Sequence, residues 1–378
     1  MPFMSPAQAV QAVQAVQAVQ AVQAVQAVQA VQAVGLSNAS GSALGLTTAR
    51  DGIVGPWIED GGAPPVPLEL GGVENMSQWP AWSRMFVLSN EALAPLDIRL
   101  SADGSAEVRC RGTISEAGEA RYARFCTLTR PEPGDFKAQA RIVAEYADLR
   151  PERSAEILDQ VSGTLPYFAT LLPIVADRMP RTVELLALAQ AVAAHVAQHM
   201  KHLLACKRPD AYSAQIQPMV PTPGHGALPS GHATEAFATA EILRHLVPVA
   251  ARPSRLDDLV MDMAARIAVN RTVAGLHFPA DSFAGAVLGL SVADFLLARA
   301  GVEAGALTAR GFHGPGIARS DFFAASIWDG EARQDIAAPR DTGLIGTEPD
   351  GGVPEVAPSD MMAWLWQTAL AEWGHPPK

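Results

Sequence analysis

Three short segments in the second half of the chain decide the fold and the chemistry that we expect of it. They read KHLLACKRP at residues 201–209, PSGH at residues 229–232 and RTVAGLHFPAD at residues 271–281. Their spacing singles out three cations, two histidines and one carboxylate, namely Lys201, Arg208, Arg271, His232, His277 and Asp281. Cations grouped in this way can hold the oxygens of a tetrahedral oxyanion. The set therefore marks the chain as a candidate enzyme.

The first segment places two cations on one face of a predicted helix. Lys201 and Arg208 are seven residues apart, which corresponds to two turns of an α-helix. Side by side, at the end of a long helix or just past it, they could bind two oxygens of one anion. The alternative is that both are solvated surface charges, which is the usual state of an isolated lysine or arginine.

The second segment precedes an alanine-rich helical run that begins at Ala233. The first N–H groups of such a helix have no partner within it, and the helix dipole favours an anion there. Ser230 could donate its hydroxyl to an oxygen, Gly231 lets the backbone approach closely, and His232 would be placed as a general acid. Ser230 could also be an ordinary N-cap, and the two roles are compatible.

The third segment adds a cation and a histidine–carboxylate pair. Arg271 offers a planar fork that suits bidentate contact with oxygens. His277 and Asp281 are four residues apart, so one helical turn would bring their side chains together. Asp281 could then accept from Nδ1–H of His277 and leave Nε2 free as a nucleophile or ligand. Taken alone, the pair could equally be a helix-capping interaction.

In this order and spacing, the three segments resemble the type 2 phosphatidic acid phosphatase and vanadium haloperoxidase superfamily. The resemblance covers roughly residues 150–300 and implies a mainly α fold, a helical bundle. It implies that the phosphate or vanadate oxygens are bound by Lys201, Arg208, Ser230, Gly231 and Arg271. It also implies that His277, His232 and Asp281 are the catalytic residues.

Two more positions stand beside these motifs. Asn270 occupies a place where many members of the superfamily carry serine, which leaves the first hydrogen bond of the third segment open. His225 lies seven residues before His232, at a position where some haloperoxidases have a histidine, although it could also be an ordinary loop residue. We expect both to contact the residues that bind the oxyanion rather than the oxyanion itself.

The resemblance implies one site with two alternative reactions. A phosphatase would hydrolyse a small phosphate monoester through a phosphohistidine at His277 and would need no cofactor. A haloperoxidase would hold vanadate on His277 and use peroxide and halide as substrates. The short interval from Arg208 to Ser230 favours the phosphatase, whereas His225 favours the haloperoxidase. A third hypothesis is a non-catalytic helical binding protein that uses the same fold as a scaffold.

Composition divides the chain into four parts. Residues 1–45 contain nine tandem Gln-Ala-Val copies from Gln8 to Val34 and a linker, and we expect a disordered or partly helical arm that could serve homo-oligomerisation. Residues 46–135 are irregular, with a β-hairpin predicted around Asp103–Gly104. Residues 136–300 form the predicted catalytic helical domain, and residues 301–378 a loop-rich extension with one helix from Asp360 to Trp373.

Hydrophobic patterning predicts the helices of the bundle, and proline favours helix starts, as at Pro279. The candidate helices are Phe136–Leu149, Pro151–Ser162, Leu165–Arg178, Arg181–Cys206, His232–Leu246, Leu256–Val273 and Pro279–Arg299.

Charge and hydropathy exclude several other classes. The net charge of −11, without any run of five basic residues, argues against a nucleic-acid partner. No window of 18 residues is apolar without interruption, since Asp294 falls within the most apolar stretch. We therefore expect a soluble protein without a transmembrane segment. The chain also lacks a basic and then apolar leader at its start, so we expect a cytoplasmic location.

Metal and disulfide chemistry receive little support from the sequence. Cys110, Cys126 and Cys206 form no CxxC pair and are odd in number, so neither a disulfide framework nor a cysteine zinc site is predicted. His195, His199 and His202 share a helix face that could bind zinc, but no acidic ligand stands nearby in the sequence. We therefore expect no metal site, apart from vanadate on His277 in the haloperoxidase alternative.

Overall fold

A computed structural model describes residues 47–56, 61–114, 120–302, 307–328, 345–347 and 356–374. The predicted Gln-Ala-Val arm of residues 1–45 lies outside these ranges. Within them the protein is mainly helical with one small sheet, in agreement with the predicted fold class. The α-helices are α1 Ala81–Leu93, α2 Pro133–Glu145, α3 Arg150–Asp159, α4 Leu165–Leu171, α5 Pro180–Leu204, α6 Gly231–Leu246, α7 Leu256–Val273, α8 Pro279–Arg299 and α9 Asp360–Ala371.

Short helical turns join these elements. One π-helical turn spans Ala49–Ile53, and the 3₁₀ turns are Val73–Gln78, Tyr146–Leu149, Pro209–Ala211, Val249–Ala251, Ile317–Arg319 and Ala324–Ser326. The strands are β1 Leu96–Leu100, β2 Ala106–Ile114, β3 Ala120–Thr129, β4 Arg310–His313 and β5 Ile345–Thr347.

The helix boundaries follow local chemistry. Pro133, Pro180 and Pro279 occupy the first position of α2, α5 and α8, where the fixed φ of proline suits the helix and its missing N–H costs nothing. α4 ends at Leu171, earlier than the predicted Arg178. Leu172 is extended because the residue before a proline is pushed out of the helical region.

The predicted β-hairpin is confirmed. β1 and β2 pair antiparallel with Leu96 opposite Cys110 and Ile98 opposite Val108, and Gly104 in the connecting turn has φ +85°. The sheet order is β1-β2-β3-β4-β5, and β4 joins it by pairing parallel to β3. Two strands from the C-terminal extension, β4 and β5, therefore complete a sheet that begins before the bundle.

Helix α8 is the centre of the core. It packs against α5, α6, α7 and α9 and against β3 and β4. Among the described residues, α8 is the one helix that is long and apolar enough to cross a membrane. However, 94% of its most apolar 18-residue window is buried inside the protein. The elements around α8 cover its faces, which explains why this helix is apolar on all sides. Asp294, a carboxylate in the middle of this helix, pairs with Arg310 of β4.

Two glycines of α8 set how closely it meets α6. A Cβ on Gly289 would lie 2.4 Å from the carbonyl oxygen of Thr234, and one on Gly285 would lie 2.7 Å from both the Ser230 oxygen and the Ala233 Cβ. Real side chains cannot occupy these positions without a shift of the backbone. Glycine at these positions therefore allows the start of α8 to lie directly against the start of α6, where the second and third motifs meet.

Candidate active site

The three motif segments converge at one end of the bundle. α5 ends at Leu204 with Ala205 in the left-handed region, so the chain turns back sharply after Lys201. The loop that follows is tied to this turn by the Ala227 N–H, which donates to the Cys206 carbonyl at 2.9 Å. The Ser230 N–H donates to the Asp281 carbonyl at 2.8 Å. These two backbone bonds bring the ends of α5, α6 and α8 into one place.

His277 is held by a carboxylate on one side and a guanidinium on the other. Its Nδ1 lies 2.9 Å from Asp281 Oδ2, and its Nε2 lies 2.8 Å from Arg208 Nη1. A guanidinium can only donate, so Nε2 carries a lone pair and Nδ1 carries the proton. The Phe278 N–H also donates to Asp281 Oδ2, at 2.9 Å. The start of α8 thus fixes both the ring and its tautomer.

Burial and neighbouring charge keep this pair in an unusual state. Burial lowers the pKa of His277 well below its usual value, and the charges of Arg208 and Lys201 lower it further. Burial raises the pKa of Asp281 to about 7, although the Phe278 N–H and the two cations act in the opposite direction. A neutral imidazole with a free Nε2 lone pair is the form that can attack an electrophile.

Arg208 connects the nucleophile-like nitrogen to the neighbouring loop. Besides its bond to His277, Nη1 donates to the Leu276 carbonyl at 2.9 Å, and Nη2 donates to His225 Nδ1 at 3.1 Å. His225 therefore contacts Arg208, as expected of a residue beside the oxyanion ligands. Burial lowers the pKa of His225 to about 4, so it accepts this bond as a neutral ring.

Lys201 is placed differently from a free oxyanion ligand. The side chain is only 2% exposed, and its ammonium donates to the carbonyls of Gly226, Ala227 and Pro229. Three donors are all that an ammonium has. Lys201 therefore holds the loop that leads into the PSGH segment, while its charge still acts on the site. Burial, and then the charge of Arg208, lower its pKa to about 7.

Ser230 and Gly231 form the start of α6. Ser230 is the N-cap, and its hydroxyl oxygen accepts from the Ala233 N–H at 3.4 Å. The N–H groups of Gly231 and His232 precede the first internal hydrogen bond of the helix, so they could bind an anion. The N-cap role of Ser230 is compatible with such binding.

His232 is held in the opposite tautomer to His277. Its Nε2 lies 3.2 Å from the carbonyl oxygen of Gln160, which can only accept, so Nε2 carries the proton and Nδ1 the lone pair. Burial, and then the charge of Arg271, lower the pKa of His232 to about 3.

Arg271 approaches the site from the end of α7. Its side chain is 1% exposed, and Nη2 donates to Gln160 Oε1 at 2.8 Å and to the Ile157 carbonyl at 3.3 Å. Its Nε is buried and has no hydrogen-bond partner among the described residues. Burial lowers the pKa of Arg271 to about 10, which still leaves the guanidinium charged at neutral pH.

Asn270 does not point its amide to the oxyanion motifs but to α3. Its Nδ2 donates to Glu156 Oε1 at 2.8 Å and to Gln160 Oε1 at 3.1 Å, and its oxygen accepts from Arg153 at 3.0 Å. Asparagine can donate to two acceptors at once, which serine cannot do. Asn270 therefore links α7 to α3 through more hydrogen bonds than a serine at this position could make.

Residues 183–301 match the family model of the PAP2 superfamily. We refer to this matched segment as the PAP2 domain, and the match supports the resemblance of the three motifs to the superfamily. No curated protein matches the chain significantly. The matched residues run from α5 to the end of α8, and every residue of the three motifs falls within them. α3, with Gln160, lies outside the matched segment but contacts the PAP2 domain through Arg271, Asn270 and His232.

Two residues of the site were missed by reasoning from the sequence. The sequence predicts only that Gln160 belongs to a helix, because nothing in its neighbourhood marks it as polar and buried. Glu235 stands one helical turn after Gly231, with Oε1 3.7 Å from where a Cβ on that glycine would be. Burial raises the pKa of Glu235 to about 7. A carboxyl four residues after the PSGH glycine was a signal that could have been noticed.

The zinc alternative for the three histidines of α5 gains no support. His199 Nδ1 contacts the carbonyl of His195 at 3.1 Å, and the two rings lie 4.5 Å apart. In the part of the chain that the structure describes, no group of three or more His, Cys, Asp or Glu side chains could hold a metal ion.

Proposed function

We propose that this protein is a phosphatase that hydrolyses small phosphate monoesters through a phosphohistidine at His277. The observation that carries the proposal is the clamp on this ring, with Asp281 at 2.9 Å from Nδ1 and Arg208 at 2.8 Å from Nε2. The clamp leaves a lone pair on Nε2 beside a cation that can guide a phosphoryl group to it. The match to the PAP2 superfamily supports a phosphatase-type hydrolase.

In the first step, His277 Nε2 attacks phosphorus and the bond from phosphorus to the ester oxygen breaks. The Arg208 guanidinium, bonded to Nε2 before substrate arrives, moves its hydrogen bond to a phosphoryl oxygen. Positive charge develops on the ring as the new bond forms, and Asp281 stabilises it through Nδ1–H. The product of this step is a phosphohistidine and an alkoxide that needs a proton.

His232 supplies that proton in our proposal. Its neutral ring holds a single proton on Nε2, so it must first take up a second one at Nδ1. A bound phosphate dianion favours the imidazolium form, which offsets the effect of burial and of Arg271. In the second step, the neutral ring accepts a proton from water as the water attacks phosphorus and the phosphorus–nitrogen bond breaks. After the second step the ring is an imidazolium again, and it returns the proton that it took from solvent when phosphate leaves, so the protein regains its starting state.

The remaining groups would hold the phosphoryl oxygens. Arg271 has a buried Nε without a partner among the described residues, and the start of α6 offers N–H groups of Gly231 and His232. Donors that are already in place need little rearrangement in the transition state, and the loss of one such donor typically costs about 10²- to 10³-fold in rate. Lys201 acts mainly by holding the loop that positions these groups.

The same donor set also fits vanadate, which is the second candidate. Vanadate is a tetrahedral oxyanion like phosphate, and the lone pair of His277 Nε2 and the free Arg271 Nε suit either. When bound, it would supply activation of hydrogen peroxide for halide oxidation. The contact between His225 and Arg208 is the observation that favours this alternative, since some haloperoxidases have a histidine at this position.

A paired assay on one purified sample decides between these functions. One arm measures hydrolysis of an aryl phosphate without added metal and with a chelator present. The other measures bromination of a trap molecule after addition of vanadate and peroxide. We expect hydrolysis without bromination. Hydrolysis should be lost in His277→Ala but not in the control His199→Ala, which changes an exposed histidine of α5. Bromination without hydrolysis would establish the haloperoxidase. Absence of both reactions would favour the non-catalytic binding protein.

A further inference from the structure

We propose that Gln160 is a positioning residue that holds Arg271 by a neutral oxygen and so keeps the full charge of this arginine for the phosphate group. The inference rests on the proposed function, because it concerns the same oxyanion site. Gln160 follows the last residue of α3 and lies outside the segment that matches the PAP2 model.

Gln160 contacts two helices of the PAP2 domain at once. Its side chain is fully buried. Its Oε1 accepts from Arg271 Nη2 at 2.8 Å and from Asn270 Nδ2 at 3.1 Å, and its backbone carbonyl accepts from His232 Nε2 at 3.2 Å. Its own amide Nε2 donates to Glu156 Oε1 at 3.2 Å, which fixes which end of the amide faces Arg271.

In the described part of the chain, the buried arginines outside the candidate active site are paired with carboxylates, whereas Arg208 of the site is not. Arg84 forms a two-point ion pair with Glu184, with both distances at 2.7 Å. Arg299 pairs with Glu91, and Arg310 pairs with Asp294. Burying an unpaired charge is costly, so a carboxylate partner is the expected arrangement for an arginine with only a structural role.

Arg271 departs from this pattern. Its two hydrogen-bond acceptors within the described residues, Gln160 Oε1 and the Ile157 carbonyl, are both neutral. The nearest carboxylate on α3, Glu156, is instead bound by Arg266 at 2.7 Å and by Asn270 at 2.8 Å. The amide of Gln160 therefore stands where a carboxylate would have neutralised the guanidinium. An arginine that is buried, oriented and left with its charge is suited to bind a doubly negative phosphate.

Gln160→Glu is the sharpest test, because it changes charge with almost no change of shape. The new carboxylate would pair with Arg271 and compete with the phosphate oxygens for it. A charge-assisted hydrogen bond contributes enough that its loss should weaken binding of inorganic phosphate roughly 10- to 100-fold. We expect KM to rise more than kcat falls. An ion pair with Arg271 is gained, but the hydrogen bond from Gln160 to Glu156 Oε1 at 3.2 Å is replaced by a contact between two carboxylates, so the melting temperature should fall.

Gln190→Glu is the matched control. Gln190 is a partly buried glutamine of α5 whose amide donates to the hydroxyls of Thr164 and Thr239. It receives the same charge change away from Arg271, so its phosphate affinity should stay within about threefold of wild type. Gln160→Met is a second variant that removes the acceptor but adds no charge. We expect the loss of phosphate affinity in Gln160→Met to be at least fivefold smaller than the loss in Gln160→Glu.

Calorimetric binding of inorganic phosphate, together with KM, kcat and melting temperature, is the measurement. A folded Gln160→Glu protein that binds phosphate as tightly as wild type would overturn the inference. Equal losses in the glutamate and methionine variants would also overturn it, because the acceptor and not its neutrality would then matter. If Gln160→Glu does not fold, a loss of phosphate affinity of tenfold or more in Gln160→Met would overturn the inference instead. A wild-type protein that neither binds nor hydrolyses phosphates would instead contradict the proposed function.

Discussion

The starts of α8 and α6 each bring one histidine to the site, and the two differ in the group that holds the ring. At α8, a carboxylate accepts a hydrogen bond from Nδ1–H of His277, so the lone pair lies on Nε2. At α6, a backbone carbonyl accepts a hydrogen bond from Nε2–H of His232, so the lone pair lies on Nδ1. The comparison shows that the neighbour of an imidazole, rather than the residue type, decides whether it is suited to attack or to transfer a proton.

The largest expected effect follows from removing the charge behind His277. In Asp281→Asn, the ring loses the negative charge that stabilises it while Nε2 bonds to phosphorus. The new amide nitrogen must either face Nδ1, which inverts the tautomer, or take the buried Oδ1 position, which has no partner among the described residues. We expect kcat to fall about 10³-fold. Steady-state kinetics measure this, and a fall of less than tenfold would mean that the carboxylate does not set the role of His277.

The next effect concerns His232 and depends on the leaving group. In His232→Ala, an alkoxide leaves without a proton donor, whereas a good aryl leaving group needs little help. We expect kcat/KM, which reports the phosphorylation step, to fall about 10²-fold for an alkyl phosphate and far less for a nitrophenyl phosphate. Rates over a series of leaving groups provide the measurement. Equal losses across the series would show that His232 is not the acid.

The proposed role of His232 as the acid also predicts how kcat and kcat/KM depend on pH. Burial lowers the pKa of His232 to about 3 in the free protein, so the protonated acid is lost as pH rises above that value and kcat/KM falls with it. A bound phosphate dianion raises the pKa of His232, so kcat should hold to a higher pH than kcat/KM does. Complete pH profiles of both constants test this. Coinciding alkaline limbs would contradict it.

A smaller effect is expected where the two helix starts touch. In Gly285→Ala, the new methyl group would lie 2.7 Å from the Ser230 carbonyl, which forces α6 and α8 apart. Overpacking of this kind typically costs about 1–3 kcal/mol, and kcat should fall because His232 and His277 move relative to each other. Gly134→Ala in α2 is the control, since a Cβ there meets nothing within 4 Å. Denaturant unfolding and kcat, measured on both variants, decide the outcome.

Much of the arrangement could be predicted from the sequence, because its determinants are local. Pro279 begins α8, and the predicted span Pro279–Arg299 agrees with the structure, as does Leu256–Val273 for α7. The four-residue spacing of His277 and Asp281 predicts their contact, which the structure shows at 2.9 Å, although His277 lies before α8 and Phe278 is extended. Local spacing carries such information since a helix fixes the positions of its own residues.

What the sequence could not predict depends on contacts between distant segments. α1 was missed because its region was read as irregular from its glycines and prolines. The parallel pairing of β3 with β4 joins residues far apart in the chain, and no local pattern indicates it. The same holds for Gln160, whose polar contacts come from α6 and α7, and for Lys201, which was expected to bind the oxyanion directly but donates to three loop carbonyls.

The comparison of the two histidines is tested most directly by trapping the intermediate. His232→Ala should still be phosphorylated by a nitrophenyl phosphate, but it lacks the base that activates water, so the phosphoprotein should accumulate. Rapid quenching into alkali, which preserves phosphohistidine, followed by peptide mass spectrometry would locate the label. The account predicts phosphate on His277 in His232→Ala and none in the His232→Ala, His277→Ala double variant. Label on another residue, or steady turnover of the double variant, would contradict it.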